Sequence, residues 1–386
     1  MTYNFDQVPD RRATESVKWH FFDSDVLPMW VADMDFVSPP EVIREMRARV
    51  EHGVFGYPME QPELLQTVVD WVADQYGWAV QPHDLIPVPG VVVGFNLVTQ
   101  ALTHPGEGVL IQTPVYPPFF GAAKYAGLLR QEAELALQPD GSYEIDFDAF
   151  EAAITDQTRL FILCNPHNPV GRVFRRDELE RLAEICLRHD ILICSDEIHC
   201  DLLLDGRRHT PIASLSPEIA RSTITLIAPS KTFNIAGLEC SFAIIQNPEL
   251  REKFQAGRRG LVGGVNLMGL VAARAAYQYG RPWLTELRQY LQANRDLLVE
   301  TVRRDLPGVK MGVPEATYLA WLDCRGLPIE GKACEFFEKT ARVGLNDGAT
   351  FGAPGEGFVR LNFGCPRSML EDGLARMRRA VAGLKG

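Results

Sequence analysis

The stretch Leu226-Ile-Ala-Pro-Ser-Lys-Thr-Phe-Asn-Ile-Ala-Gly237 sets one lysine, Lys231, just past an apolar run and among small polar residues. An amine on a short polar turn behind a buried strand is partly desolvated, which disfavours its charged form and makes it a nucleophile toward an aldehyde. Imine chemistry is one reading. A strand-end lysine with its head in water is the other, and this stretch alone does not separate them. Three more segments bear on the choice, because each brings polar side chains to the end of an apolar run: Thr113-Pro-Val-Tyr116, Asn165-Pro-His-Asn-Pro-Val-Gly171 and Ser195-Asp-Glu-Ile-His199.

The elements that must position these residues follow from periodicity. Val109–Gln112, Leu160–Cys164, Ile191–Ser195 and Thr223–Ala228 read as buried strands, and Leu179, Leu182, Ala183 and Cys186 fall at helical spacing between two of them. This alternation predicts an α/β fold, a mostly parallel sheet covered by helices on both faces, with ligands gathering at the carboxyl ends of the strands. Upstream, a helix is expected over 62–76. Gly90 and Gly94 open a second helical pattern (Phe95, Leu97, Val98, Ala101, Leu102) whose free N-terminal amides suit a phosphate. A glycine-rich turn with no ligand fits that pattern equally well.

Past about residue 280 the texture changes to a long charged helix (Trp283–Arg304), a strand over Thr317–Leu322, and a last strand Phe358–Phe363 leading into a closing helix. We expect a large domain over 46–280 and a smaller α+β domain formed by 281–386 and the N-terminal arm, 1–45. Within the arm, Asp33 and Asp35 read as turn residues before Pro39-Pro40 rather than as an acid-base or metal-binding pair.

A chain of 386 residues exceeds one ordinary core at roughly 100 to 200 residues per domain. Its 46% hydrophobic and 23% charged residues are those of an ordinary globular enzyme. The formal charge of -11 and the lack of a long basic run argue against nucleic acid or an anionic membrane as partner. Eight cysteines with no Cys-x-x-Cys pair point to reduced core thiols and a cytoplasmic setting. The longest uncharged run, Leu85–Gly106, is broken by prolines and glycines, so no membrane span is expected.

A lysine, a carboxylate, an amide and an aromatic ring at neighbouring strand ends meet the demands of one group, pyridoxal 5'-phosphate, which needs an amine for its aldehyde and an acid for its ring nitrogen. A carboxylate such as Asp196 keeps that nitrogen protonated, which makes the ring a better electron sink. Asn168 suits the ring's phenolate oxygen and Tyr116 is a flat face to stack on it. Each has a plainer role: Asp196 as a helix cap, Asn168 as a turn residue before Pro169, Tyr116 as a core aromatic. It is their joint arrival at one sheet edge that favours the cofactor. No metal site is expected, since His199 and Cys200 lack ligand spacing, and no serine sits in a Gly-x-Ser-x-Gly turn.

The order Tyr116, Asn165–Gly171, Ser195–His199, Ser230-Lys-Thr-Phe-Asn234 resembles the fold-type I pyridoxal-phosphate enzymes related to aspartate aminotransferase, over nearly the whole chain. Met29-Trp-Val-Ala-Asp-Met-Asp-Phe36, Ser195–Asp201 and Pro229–Gly237 most resemble the bacterial cystathionine β-lyase branch, which cleaves carbon–sulfur bonds. The resemblance implies that Lys231 bears the cofactor as an imine, Asp196 pairs with the ring nitrogen, Asn168 bonds the phenolate oxygen and Tyr116 stacks on the ring. It places the phosphate on the Val92 and Val93 amides and Ser230, with Tyr57 reaching it from the neighbouring subunit of a homodimer with shared sites. Arg360, in Val359-Arg-Leu-Asn362, is the implied grip on the substrate carboxylate, with Trp30, Ala32 and Asn168 also toward substrate and His199 toward cofactor.

Three positions depart from the wider aminotransferase pattern: His199 replaces a tyrosine, Glu239 an arginine that binds phosphate, and Ala228 a serine. The activity implied is β-elimination from L-cystathionine and related cysteine conjugates, giving a thiol such as homocysteine, pyruvate and ammonia. Two alternatives remain open at this point: an aminotransferase, which forms the same carbanion, and a cofactor-bearing regulatory protein that binds a partner.

Overall fold

The computed structural model describes residues 2–59 and 62–385. Its strands, in chain order, are β1 Leu27–Pro28, β2 Leu85–Val88, β3 Gly108–Thr113, β4 Leu129–Glu134, β5 Ala136–Leu137, β6 Tyr143–Glu144, β7 Thr158–Cys164, β8 Leu192–Asp196, β9 Thr223–Ile227, β10 Ser241–Ile244, β11 Leu319–Asp323, β12 Val343–Gly344, β13 Asn346–Asp347 and β14 Phe358–Asn362. Seven of them form one sheet in the order β2-β10-β9-β8-β7-β3-β4. Only β10 runs against its neighbours, so the other six send their carboxyl ends to one edge.

The parallel strands β3, β7, β8 and β9 are apolar on both faces because helices cover both. One face packs against the helices Val91–Leu102, Pro118–Ala126 and Pro248–Gly257, through Phe95, Phe119 and Phe254. The other meets the helix Arg176–Arg188, whose Leu179, Leu182, Ala183 and Cys186 are buried at the anticipated spacing. The helix Val91–Leu102 lies close on β9: a Cβ at Gly94 would come within 2.9 Å of Leu226 Cδ2. Gly90 precedes it at φ 102°, a left-handed conformation that a side chain disfavours.

Three strands of the sheet escape the sequence reading. β4, Leu-Arg-Gln-Glu-Ala-Glu, is an edge strand with exposed and half-exposed positions, so it carries no apolar signal. β2 contains Pro87 and stands at the opposite edge, where a missing N–H is tolerated. β10 is a four-residue strand paired antiparallel on both sides.

A second, antiparallel sheet, β11-β14-β13, sets Arg360 opposite Trp321 on one side and Asn346 on the other. The arm joins this part of the chain: β1 pairs parallel with β12, Leu27 opposite Val343. Phe5 packs edge-on against Phe36 and Trp283 and so joins the core, while the residues around it stay exposed or half-exposed. Asp33 and Asp35 are not simple turn residues. Arg11 binds both, at 2.6 and 2.7 Å, and the buried Lys18 reaches Asp35 at 2.6 Å. The partners lie 15 to 24 residues upstream, beyond any local pattern.

Candidate active site

At the carboxyl edge of the large sheet the chain encloses a cavity of about 360 Å³. Lys231 enters it from a single helical turn, Pro229–Thr232, that starts two residues after β9. Burial draws its amine down from the ordinary lysine value to about 8, Arg360 pushes the same way, and Asp33 and Asp196 resist. About a tenth of this amine is therefore neutral at pH 7, far more than for an ordinary lysine, and the neutral form is the one a nucleophile or proton acceptor requires. Its Nζ donates to the Ala32 carbonyl at 2.6 Å.

Asp196 is the last residue of β8 and is 4% exposed. Burial drives its carboxyl up to about 7; the Ile198 amide, donating at 3.1 Å, opposes that and the Glu197 charge adds to it. The turn-capping bond and the position in the cavity are thus compatible. Tyr116, three residues beyond β3, lines the same cavity, and its hydroxyl is raised chiefly by burial.

Arg360 reaches the cavity from β14. Its guanidinium donates to Asn168 Oδ1 at 3.0 Å, to Asn346 Oδ1 at 2.7 Å and to the Trp30 carbonyl at 3.1 Å, and lies 4.9 Å from the Phe351 ring centre. Burial lowers it to about 10, and its Nε has no partner. His199 is pushed down to about 3, first by burial and then by Lys231 and Arg360, so it stands as a neutral imidazole whose Nδ1 also lacks a partner. Ser230, Val92 and Val93 also line the cavity. Gly94 is the first residue of that helix to bond back, to Gly90, which leaves the Val92 and Val93 amides without intrahelical acceptors.

Residues 24–377 match the model of the family described as aminotransferase class I and II. The chain belongs to that family. Among its relatives, cystathionine β-lyase PatB of Bacillus subtilis is 42% identical over 98% of this chain and 100% of its own. Among solved structures, OvoB superposes with a TM-score of 0.94 at 45% identity, over 98% of this chain and 99% of its own. Cystalysin of Treponema denticola, described as containing a pyridoxal 5'-phosphate cofactor, superposes with a TM-score of 0.95 at 37% identity over the whole of both chains.

Two expected residues of this family member lie outside the cavity of its own chain. Tyr57 is fully exposed on the extended segment after Gly53. The Trp30 indole turns away, donating to the Lys18 carbonyl at 3.1 Å and lying 4.4 Å from Phe21; only its carbonyl meets Arg360. Glu239 lines the cavity at φ 48° and remains exposed.

Sequence reasoning missed the residues that hold the segment 29–36 against the site. Asn362 donates to the Val31 and Asp33 carbonyls, each at 2.7 Å, and Tyr318 donates to Ala32 at 2.9 Å. Asn234 bonds the Met34 amide and donates to the Met34 and Phe36 carbonyls. Asn234 and Asn362 lie three and two residues past Lys231 and Arg360, which is the signal that could have found them. Among the described residues no three His, Cys, Asp or Glu side chains cluster as a metal site. No described helix is long and apolar enough to cross a membrane.

Proposed function

We propose that this chain is a pyridoxal 5'-phosphate enzyme that removes sulfur-linked groups from the β carbon of L-cysteine conjugates, L-cystathionine among them. The products are a thiol, pyruvate and ammonia. The observation that carries the reading is the full-length likeness to a relative named cystathionine β-lyase, joined to a cavity that holds a lowered lysine, a raised aspartate and a buried arginine.

The residues fit the cofactor. The partnerless atoms of the cavity, His199 Nδ1 and Arg360 Nε, are buried polar groups that ask for a ligand, and the Val92 and Val93 amides, with Ser230, suit a phosphate. Lys231 would hold the aldehyde carbon, Asp196 the ring nitrogen, Asn168 the phenolate oxygen and Tyr116 the ring face. His199 adds a neutral imidazole to the cofactor side. When bound, the cofactor supplies an electron sink for charge at the substrate's α carbon.

The remaining steps belong to the chain. Arg360 grips the α-carboxylate with its planar fork, and Ala32 and the Trp30 carbonyl bound that side. Lys231 Nζ, neutral once released, takes the α proton, and its bond to the Ala32 carbonyl keeps it directed into the cavity. A second copy of the chain lends Tyr57 to the phosphate, making the working form a homodimer. We divide the protomer into 46–280 and, as the smaller unit, 281–386 with the arm 1–45; the pairing of β1 with β12 supports this grouping. The eight free cysteines support a cytoplasmic location.

Purified protein given L-cystathionine should release pyruvate and thiol in equal amounts with no oxo acid added. Glutamate formed from 2-oxoglutarate and an amino acid, without pyruvate from cystathionine, would replace this reading with transamination.

A further inference from the structure

Alternation along β8 sends Asp196 to the cavity and its neighbours Ser195 and Glu197 away from it. Behind the sheet edge Glu197, 1% exposed, meets His209 at 2.6 Å, a length typical of a charge-assisted bond. The other Glu197 oxygen accepts from Ser195 Oγ at 2.8 Å and from the Ile212 amide at 3.3 Å. His209 has no other polar partner, since its Nδ1 is buried and unbonded, and the Tyr76 ring stands edge-on 5.4 Å away. Among the described residues, its side chain's only polar contact is thus Glu197, the acid next in sequence to Asp196.

The other charged or titratable groups around this pair are accounted for. Tyr76, from the helix Pro62–Tyr76, donates to Asp201, as do Trp71 at 3.1 Å and Thr232 at 2.9 Å. Arg288, from the helix Arg281–Asp305, donates to the Asp201 carbonyl, and Cys200 is a buried thiol. The Asp201 carboxylate is thus held by neutral donors alone, whereas Glu197 has His209 and Asp196 faces the cavity.

We propose that His209 is a positioning residue for Asp196: by offsetting part of the charge of Glu197 it keeps the neighbouring carboxylate ionised and matched to a protonated ring nitrogen. This rests on the role given to Asp196 above. Without His209 the Glu197 carboxylate, still held by Ser195 and Ile212, faces Asp196 as a like charge and favours its protonated form.

The test is the pH dependence of pyridoxal phosphate affinity, measured by fluorescence titration of the apoprotein, alongside the pH profile of turnover. In His209→Gln the acid-side loss of affinity should move to higher pH by about one unit, and in Glu197→Gln to lower pH by a similar amount. The double variant, which lacks the Glu197 charge, should follow Glu197→Gln. A purely structural pair would weaken both single variants without opposite shifts, and unmoved midpoints or shifts in the same direction overturn the proposal. If His209→Gln does not fold, His209→Asn is read in its place, and an unmoved Glu197→Gln midpoint overturns the proposal whichever variant folds. Asp196→Asn must abolish the acid-side transition. Its persistence there removes the role of Asp196 and this proposal with it, whereas its loss there, with Glu197→Gln unmoved, overturns only the part played by His209.

Discussion

Asp35 and Asp196 are buried alike, at 1% and 4% exposure, and their carboxyls move in opposite directions. Burial pushes Asp35 upward, but Lys18, Arg11 and the Trp19 indole outweigh it and hold the acid below the ordinary carboxylate range. Asp196 has no cation in bonding contact, and burial carries it to about 7. A buried acid with partners fastens the arm; a buried acid without them is a site waiting for a cation. The pair shows that burial by itself does not say what an acid is for; the direction of its displacement does.

Four substitutions would break or sharpen this contrast. Lys231→Ala has the largest expected effect: turnover should fall below detection and borohydride should no longer fix cofactor to the protein. A borohydride-stable adduct in this variant would remove Lys231 from its role. Asp196→Asn should follow, lowering kcat by about three powers of ten, or ~4 kcal/mol, while the fold is kept. Because the folded carboxyl is raised, its charge costs the apoprotein stability as pH climbs from about 4 to 7. Asp196→Asn should flatten that part of the melting-temperature profile, and near-normal turnover would reduce the residue to a cap for the Ile198 turn.

Asp35→Asn should do the reverse. It removes the 2.6 Å charge partner of the buried Lys18, leaving only Asp33 at 3.6 Å, and should cost ~3 kcal/mol of stability, read by urea unfolding, with kcat of the folded protein changed less than about tenfold. The folded acid is depressed here, so its contribution is present above about pH 4 and lost as pH falls below it. A variant with parental stability would show the arm to be fastened elsewhere. The smallest effect is expected from Arg360→Lys, which keeps a charge beside Asn168 and loses the fork: KM for cystathionine should rise by about tenfold with a smaller fall in kcat, and the spectrum of the substrate-free enzyme should not move.

The contrast also marks how far the sequence could be read. Apolar runs ending in Gln112, Cys164, Ser195 and Ala228 gave four neighbouring strands and their common edge, because parallel strands covered on both faces must be apolar throughout. Since such strands end together, the polar residues just past them, Tyr116, Asn168, Asp196 and Lys231, could be placed in one cavity before any coordinates. The edge strands could not, since β4 alternates charge with solvent and β2 carries a proline.

Residue types, their spacing at strand ends and the identity of the chemistry they can share were therefore determined by the sequence alone. The tertiary structure decided which acids are neutralised, which carbonyls receive Lys231 and Arg360, and that His209 stands against Glu197 rather than in the cavity. Local pattern reports how a segment meets an average interior. Charge state and hydrogen-bond direction depend on single contacts between residues far apart in the chain, such as Asp35 with Lys18 or Ala32 with Lys231, and those exist only once the chain has closed.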